Sequence, residues 1–309
     1  RRRMNRPARR AVSGILVLDK PAGLSSNQAL QVAKRLFGAE KAGHTGTLDP
    51  LATGVLPLCF GEATKVSRFL LGADKVYRTR ARLGVATDTA DSEGRVIAQR
   101  PVQVTPAALA DVLRAHTGTL MQVPSMYSAL KHGGQPLYLL ARRGEEVERE
   151  AREVTISRLA LLSLEPEAFE VEVHCSKGTY VRTLIADIGE ALGCGAHVTA
   201  LRRTAVGAFT LDDAHTLDAL REHRGEGPSE TLDTWLCPIE RALAHLPRVE
   251  LPDGYAAMVR SGQAVRPPQP APAGWVGIYT AAGAFIGMGE TQADGRVAPR
   301  RLVREDRAH

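Results

Sequence analysis

The chain has 309 residues, 44% of them hydrophobic, which is enough for one large or two modest domains with a substantial core. Forty Lys and Arg against 34 Asp and Glu give a net charge of +6. Six arginines within residues 1–10 carry all of that excess, so the remainder is balanced and any RNA-binding surface on it must be a local cluster. No run of eighteen apolar residues is present to span a membrane, and the first residues lack the apolar core of a secretory signal. Cys59, Cys175, Cys194 and Cys237 show no C-x-x-C spacing, which argues against a zinc ribbon or a redox pair and suits a reducing cytosol. The expectation is a cytoplasmic protein without a bound metal.

In chain order, residues 1–10 read as a basic, disordered tail with weak electrostatic help to offer. Ile15–Leu18 is a short buried strand ending at Lys20-Pro21. Ser25 or Ser26 caps a helix that carries Leu30, Ala33, Leu36 and Phe37 on one face and stops at Gly38. After a glycine-rich loop, Val55–Phe60 is a strand, Glu62–Leu71 a short helix and Val76–Leu83 a strand. Thr105 starts a helix that runs to about His116. Met121–Glu153 is less regular and highly charged towards its end, which composition alone reads as a solvated loop and helix. Val154–Leu164 and Phe169–Cys175 are strands, the second alternating Phe169, Val171, Val173 and Cys175 on one face. Tyr180–Leu192 is a helix with Gly193 as its stop signal. Composition shifts after Trp235-Leu236-Cys237-Pro238, and short strands at Val276–Tyr279 and Ala284–Gly287 mark a small β-rich C-terminal unit from about Pro247. The pattern predicts an α+β fold.

The most informative stretch is Gly43-His44-Thr45-Gly46-Thr47-Leu48-Asp49-Pro50-Leu51-Ala52-Thr53-Gly54. Its glycines permit backbone conformations closed to other residues, and Pro50 biases Asp49 away from helix. A rigid turn presenting one carboxylate to a pocket is one reading. A turn-capping Asp before Pro is the other, and by spacing alone it is the commoner case. No G-x-x-x-x-G-K-[ST] pattern accompanies the glycines, and Gly43-His44-Thr45-Gly46 matches a bare G-x-x-G without the helices that motif requires.

Gly43–Lys65 resembles the nucleophile motif of the bacterial tRNA pseudouridine synthases that act on the T-loop uridine. Leu18–Ser26 resembles that family's first motif, and Lys75-Val76-Tyr77 with Leu83-Gly84 and Thr87–Asp91 resembles its tyrosine motif. Pro124–Lys131 and Cys175–Leu184 are similar to further blocks in the same order, and the likeness runs from about Gly14 to Leu302. The resemblance implies a mixed, mainly antiparallel central sheet with flanking helices and an active cleft across its middle. It also implies domain limits: a catalytic domain over 11–246, a flexible RNA-binding thumb at about 121–153, and a PUA-like RNA-binding domain over 247–309. The thumb length and the C-terminal unit look more like the stand-alone bacterial form than like guide-RNA relatives, and a monomer suits a tRNA-sized partner.

The implied reaction is isomerisation of uridine to pseudouridine at position 55 of tRNA, on a flipped-out nucleotide and with no cofactor. The resemblance makes Asp49 the nucleophile at C1′ or the base that takes the 2′ proton, and leaves that choice open. It makes Arg182 the cation that keeps Asp49 ionised, and Tyr77 the ring that stacks on the target base, with a hydroxyl available for the C5 proton. Tyr180 and Leu201 line the uracil pocket, Asp91 is a polar pocket residue, and His44 enters the tRNA loop in place of the flipped base. Lys20, just after the first strand, supports the pocket or a phosphate, and Lys65, Lys131 and Lys177 are either phosphate contacts or solvated surface lysines. Two other classes compete: an RNA-binding folding chaperone without chemistry, and a glycosidic hydrolase, which needs a second acid beside Asp49.

Overall fold

The computed structural model describes residues 9–128 and 130–304. Most of the predicted basic tail therefore lies outside the described residues, as does Ala129 of the fourth motif. Arg10 is within them and is not part of a loose tail. Its amide donates to the Gly38 carbonyl at 2.8 Å, and its guanidinium bonds the Phe37 carbonyl and pairs with Asp233. Among the described residues no helix is long and apolar enough to cross a membrane.

The first strand, β1 (Gly14–Lys20), leads into helix α1 (Ser26–Leu36). Ser25 caps α1 in a capping box with Gln28, which satisfies two otherwise unpaired donors. Short β2 (Ala42–His44) and β3 (Thr53–Phe60) flank the glycine-rich loop. The helix predicted over Glu62–Leu71 is split into a 3-10 segment, Gly61–Val66, and α2 (Ser67–Gly72). Next come β4 (Lys75–Leu83) and a hairpin of β5 (Val85–Thr87) and β6 (Val96–Gln99), then α3 (Pro106–Ala115), capped by Thr105. After β7 (Gly118–Gln122), the described residues of the irregular charged region hold a short hairpin, β8 (Lys131–His132) and β9 (Gln135–Pro136), and helix α4 (Leu137–Arg142). Long β10 (Arg152–Glu165) and β11 (Ala168–Cys175) lead to α5 (Val181–Ala191).

The pattern reading missed β12 (Ala196–Val206), and β12 is the strand that joins the two halves of the main sheet. Two-residue β13 (Phe209–Thr210) and β14 (His215–Thr216) precede α6 (Leu217–Arg224). The main sheet has ten strands, ordered β14-β1-β3-β12-β4-β11-β10-β7, with β13 on β12 and β2 on β3. Only β1–β14 and β3–β12 pair parallel, so the sheet is mixed and mainly antiparallel, as predicted. The C-terminal unit is a separate four-stranded sheet, β15 (Arg248–Leu251), β16 (Gly274–Thr280), β17 (Phe285–Thr291) and β18 (Val297–Leu302), with α7 (Asp253–Arg260) packed on it.

Burial explains the two kinds of strand in the sequence. β1 sends Leu16 and Leu18 into the core cluster that includes α1 and α5, and Ile15 and Val17 into a second cluster with Val66, Leu70 and Leu243. A strand covered on both faces reads as a continuous apolar run. β4 alternates instead, with Tyr77, Thr79 and Ala81 inward and Arg78, Arg80 and Arg82 outward. The outward arginines of β4 meet acids across the strands, as in the pairs of Arg78 with Glu172 and Arg80 with Glu165. The C-terminal sheet is fastened to the main body by Lys65, which bonds the Leu302 carbonyl at 2.7 Å, and by Trp275, which meets Phe69 edge-on at 5.6 Å.

Candidate active site

The glycine-rich loop is held from three sides. The Ser26 hydroxyl, at the start of α1, accepts from the Leu48 amide at 2.8 Å and donates to its carbonyl at 3.2 Å. Thr45 donates its amide and its hydroxyl to the Pro57 carbonyl, at 3.1 and 3.0 Å. Lys20 is fully buried, and its ammonium donates to the carbonyls of Pro21, Leu24 and Pro50 at 2.7, 2.6 and 3.4 Å. The loop closes onto β12 at Gly54, which has φ +106°. A Cβ there would sit 2.1 Å from the Arg203 carbonyl oxygen, so no other residue fits between β3 and β12.

That anchoring presents Asp49 at the mouth of a cavity of about 410 Å³. Gly46 to Asp49, Leu71, Lys75, Tyr77, Ser128, Leu130, Tyr180, Arg182, Leu201 and Arg203 contribute to its walls. The Asp49 side chain is 35% exposed, while Arg182 opposite it is 5% exposed. Arg182 Nε lies 2.8 Å from Asp49 Oδ2, and Nη2 reaches Oδ1 at 3.4 Å. Arg182 is held in turn by the carbonyls of Thr89 and Tyr127, both at 2.9 Å, and by Asp91 at 3.6 Å. It rides on the second residue of α5. Gln122 pins the helix start by accepting from the Tyr180 amide at 3.0 Å and donating to its carbonyl at 3.3 Å.

Burial in the cleft is the largest influence on Asp49 and pushes its carboxyl above the usual carboxylate range. Arg182 opposes that rise, Asp91 adds to it, and Lys20 pulls against it from below the loop. The guanidinium therefore limits the rise but does not bring the carboxyl below its ordinary value.

β4 and β12 build the floor. Tyr77 is directly opposite Arg203 in the strand register, and Leu201 lies two residues from Arg203 on the same face. Burial pushes the Tyr77 phenol upward, while the neighbouring Arg203 guanidinium, which its hydroxyl meets, pulls it down. Arg203 donates Nε to the Val55 carbonyl at 2.7 Å and Nη2 to the Gly46 carbonyl at 2.9 Å. Lys75 donates to the Leu71 and Ala73 carbonyls at 2.9 and 2.5 Å, and burial lowers it to about 8.

Of the residues singled out from the sequence, the structure brings Asp49, Arg182, Tyr77, Tyr180 and Leu201 to one cavity. The assignment of Asp91 needs correction, and of the two alternatives for Lys20 only support of the pocket stands. Asp91 does not offer a polar group to the cavity. It is 3% exposed, accepts from the Thr89 hydroxyl and the Glu93 amide at 2.6 and 3.0 Å, and sits behind Arg182. Lys20 supports the loop and cannot reach a phosphate, because three carbonyls enclose its ammonium. His44 lies in β2, off the cavity lining, with a buried Nδ1 that has no partner. Burial and Arg203 keep its pKa below the ordinary value, so the ring is neutral at pH 7. Lys131 and Lys177 are exposed, whereas Lys65 is engaged with Glu62 and Leu302.

Arg203 was missed as a site residue. The available signal was the Arg202-Arg203 pair in an alternating stretch, Ala196–Val206, which must turn one arginine inward.

Three sequence profiles match successive parts of the chain. They are described as TruB family pseudouridylate synthase, N-terminal domain (residues 34–181), tRNA pseudouridylate synthase B C-terminal domain (182–244) and pseudouridine synthase II TruB, C-terminal (247–303). The chain is similar to the tRNA pseudouridine synthase B of Pseudomonas aeruginosa strain UCBPP-PA14, at 57% identity over 296 residues, covering 96% of this chain and 97% of the relative. That of Coxiella burnetii strain Dugway 5J108-111 is 52% identical over 298 residues, covering 96% of each. Among solved structures, a chain of a Cbf5–Nop10–Gar1 complex superposes with a TM-score of 0.73 at 28% identity, covering 94% of this chain and 84% of that one. A chain of an H/ACA RNP bound to a substrate RNA containing 2′-deoxyuridine gives 0.72 at 26% identity, covering 94% and 84%. A cavity with a carboxylate paired to a buried guanidinium, likeness at this level over nearly the whole chain, and successive family profiles reaching from residue 34 to residue 303 lead to one conclusion: the chain belongs to the TruB family of pseudouridylate synthases and is an isomerase.

Proposed function

We propose that this protein isomerises uridine to pseudouridine at position 55, in the T-loop of tRNA, with Asp49 as the catalytic carboxylate acting on a flipped-out nucleotide. The observation that carries this reading is the Arg182–Asp49 pair at 2.8 Å, at the mouth of a cavity walled by Tyr77, Tyr180 and Leu201. Such walls suit a planar base, and an aromatic stack is worth about 1–3 kcal/mol per base. The relatives in P. aeruginosa and C. burnetii are named for tRNA, and one structural neighbour holds a substrate RNA, which supports RNA as the partner.

In this reading Asp49 attacks C1′ or removes the 2′ proton, and Arg182 favours its ionised form. Tyr77 stacks on the base, Tyr180 and Leu201 bound the pocket, and Asp91 holds Arg182 in line. His44, uncharged and with an unpaired ring nitrogen, fills the gap left by the flipped base. The catalytic domain takes in residues 11–246, with a thumb over 121–153 that folds onto RNA, and residues 247–309 form an RNA-binding domain. The protein works as a monomer in the cytoplasm without a cofactor. A hydrolase is disfavoured because Asp91, the acid that acts on Asp49, is spent on Arg182 and does not line the cavity. A folding chaperone without chemistry is disfavoured by a carboxylate held this closely at a cavity mouth.

The test is to map pseudouridine in tRNA from cells lacking the protein. Position 55 should lack the modification, regain it with wild type and not with Asp49→Asn. Restoration by Asp49→Asn would refute the assignment.

A further inference from the structure

Two cations that line the cavity form no ion pair among the described residues. Arg203 is 1% and Lys75 7% exposed, yet both line the cavity. Their charged groups meet neutral partners: the Val55 and Gly46 carbonyls and the Tyr77 hydroxyl for Arg203, and the Leu70, Leu71 and Ala73 carbonyls for Lys75. Among the described residues neither forms an ion pair, while Arg182, in the same cavity, has both Asp49 and Asp91. The two side chains come together beside Gly46. A Cβ on Gly46 would lie 3.5 Å from Arg203 Nη1 and 3.9 Å from Lys75 Cε. Burying two like charges together without an anion is costly. The arrangement makes physical sense where an anion arrives, because preorganised charge in a water-poor site stabilises charge that develops during reaction.

Building on the proposed function, we propose that Lys75 and Arg203 form an electrostatic cradle for the uracil anion that exists between detachment and reattachment. The C1′–N1 bond breaks and its electron pair stays on N1, so the base becomes a monoanion with charge shared by O2 and O4. The sugar's deficit is met by a bond from Asp49 to C1′ or by loss of the 2′ proton to Asp49. C5 then bonds to C1′, Asp49 is released or returns its proton, the C5 proton leaves and N1 takes one up. Atoms and charge balance with no co-reactant. The anion is thus held by groups on β4 and β12, distinct from the carboxylate that attacks the sugar. A backbone phosphate is the competing anion, but these cations lie at the floor beside Tyr77 and Leu201, where a base enters.

The experiment uses the full chain and two T-arm stem-loop RNAs, one with uridine and one with 5-fluorouridine at the target position. Fluorine makes uracil more acidic, so its anion leaves with less help; the rearranged base keeps its fluorine on C5, where no proton can leave, and adds water across N1 and C6. Lys75→Gln keeps donors for the same carbonyls and removes the charge, and Lys75→Arg restores charge. Rearrangement is followed by chromatography of the digested RNA, at a single turnover and at steady state over a range of RNA concentrations. Lys75→Gln should slow the uridine RNA about 10²-fold, the size typical of losing one preorganised donor. It should slow the fluorinated RNA less than about tenfold, with KM nearly unchanged, and Lys75→Arg should recover most of the rate. Equal slowing of both RNAs would overturn the inference by making Lys75 merely structural. A raised KM with unchanged kcat would overturn it in favour of a phosphate contact. Should Lys75→Gln not fold, Lys75→Met carries the same expectations. If wild type leaves the uridine RNA unchanged, the proposed function itself fails, which is distinct from failure of the cradle.

Discussion

Arg182 and Arg203 line the same cavity, both are buried, and they live in opposite electrostatic surroundings. Arg182 sits between two carboxylates and two carbonyls. Arg203 has two carbonyls and a phenol. A buried cation with matched anions is a finished structural element that holds Asp49 in place. One with neutral partners alone keeps its field available to whatever enters. The cavity walls therefore hold both a compensated and an uncompensated cation.

The largest effect that sharpens this contrast is Arg182→Ala. Deleting one partner of a buried pair costs about 3–5 kcal/mol, because Asp49 and Asp91 are left facing each other. Turnover should fall on the order of 10²-fold or more, and melting should drop by several degrees. Asp49 already sits above the ordinary carboxylate range, so losing the guanidinium raises it further and moves the acid limb of the pH–rate profile upward. Arg203→Met should also cost turnover, but with a smaller melting shift. Equal destabilisation by the two variants would break the contrast.

The next effect is on the alkaline side. Lys75 is lowered to about 8 by burial first and then by Arg203, and Lys177 adds to this while Cys175 and Asp74 oppose it. Because the cation is the working form, kcat should fall about tenfold per pH unit above 8. Lys20 is also lowered to about 8, but under the loop. In Lys75→Arg the limb should move to higher pH, and a limb that stays near 8 would belong to Lys20. Smaller still, His44→Ala should weaken binding of T-arm RNA by about tenfold with an unchanged melting temperature, measured by filter binding and calorimetry. The smallest effect is a stability change in Asp49→Asn. A raised carboxyl means that the folded state holds the proton more tightly than the unfolded chain. Its charge then costs stability at neutral pH, and that cost disappears as pH falls below the ordinary carboxylate value. Asp49→Asn should melt at the same or a slightly higher temperature than wild type at pH 7, with no difference in acid.

What was legible follows from where each signal lies. β1, α1 and α5 announce themselves through apolar runs, caps and stop glycines, and their bounds differ from the expected ones by only a few residues. β12 does not, because Thr199, Arg202, Arg203 and Thr204 interrupt its apolar pattern. Its inward arginine is satisfied by carbonyls that local sequence does not reveal. The same blindness explains Asp91 and Lys20. Charged residues are expected at the surface or in pockets, and only the fold shows one locked behind Arg182 and the other beneath the loop. Asp49, Arg182 and Tyr77 were found through motif likeness, since spacing alone made Asp49 a turn cap. The structure adds that Ser26, Thr45 and Lys20 are what hold that turn.

The most direct test of the account is release of tritium from C5-labelled uridine at the target position of a T-arm RNA. Wild type should release tritium in step with pseudouridine formed, and Asp49→Asn, folded and RNA-bound, should release none above background. Tritium release by Asp49→Asn at a rate near that of wild type would contradict the claim that this carboxylate drives the separation of base from sugar.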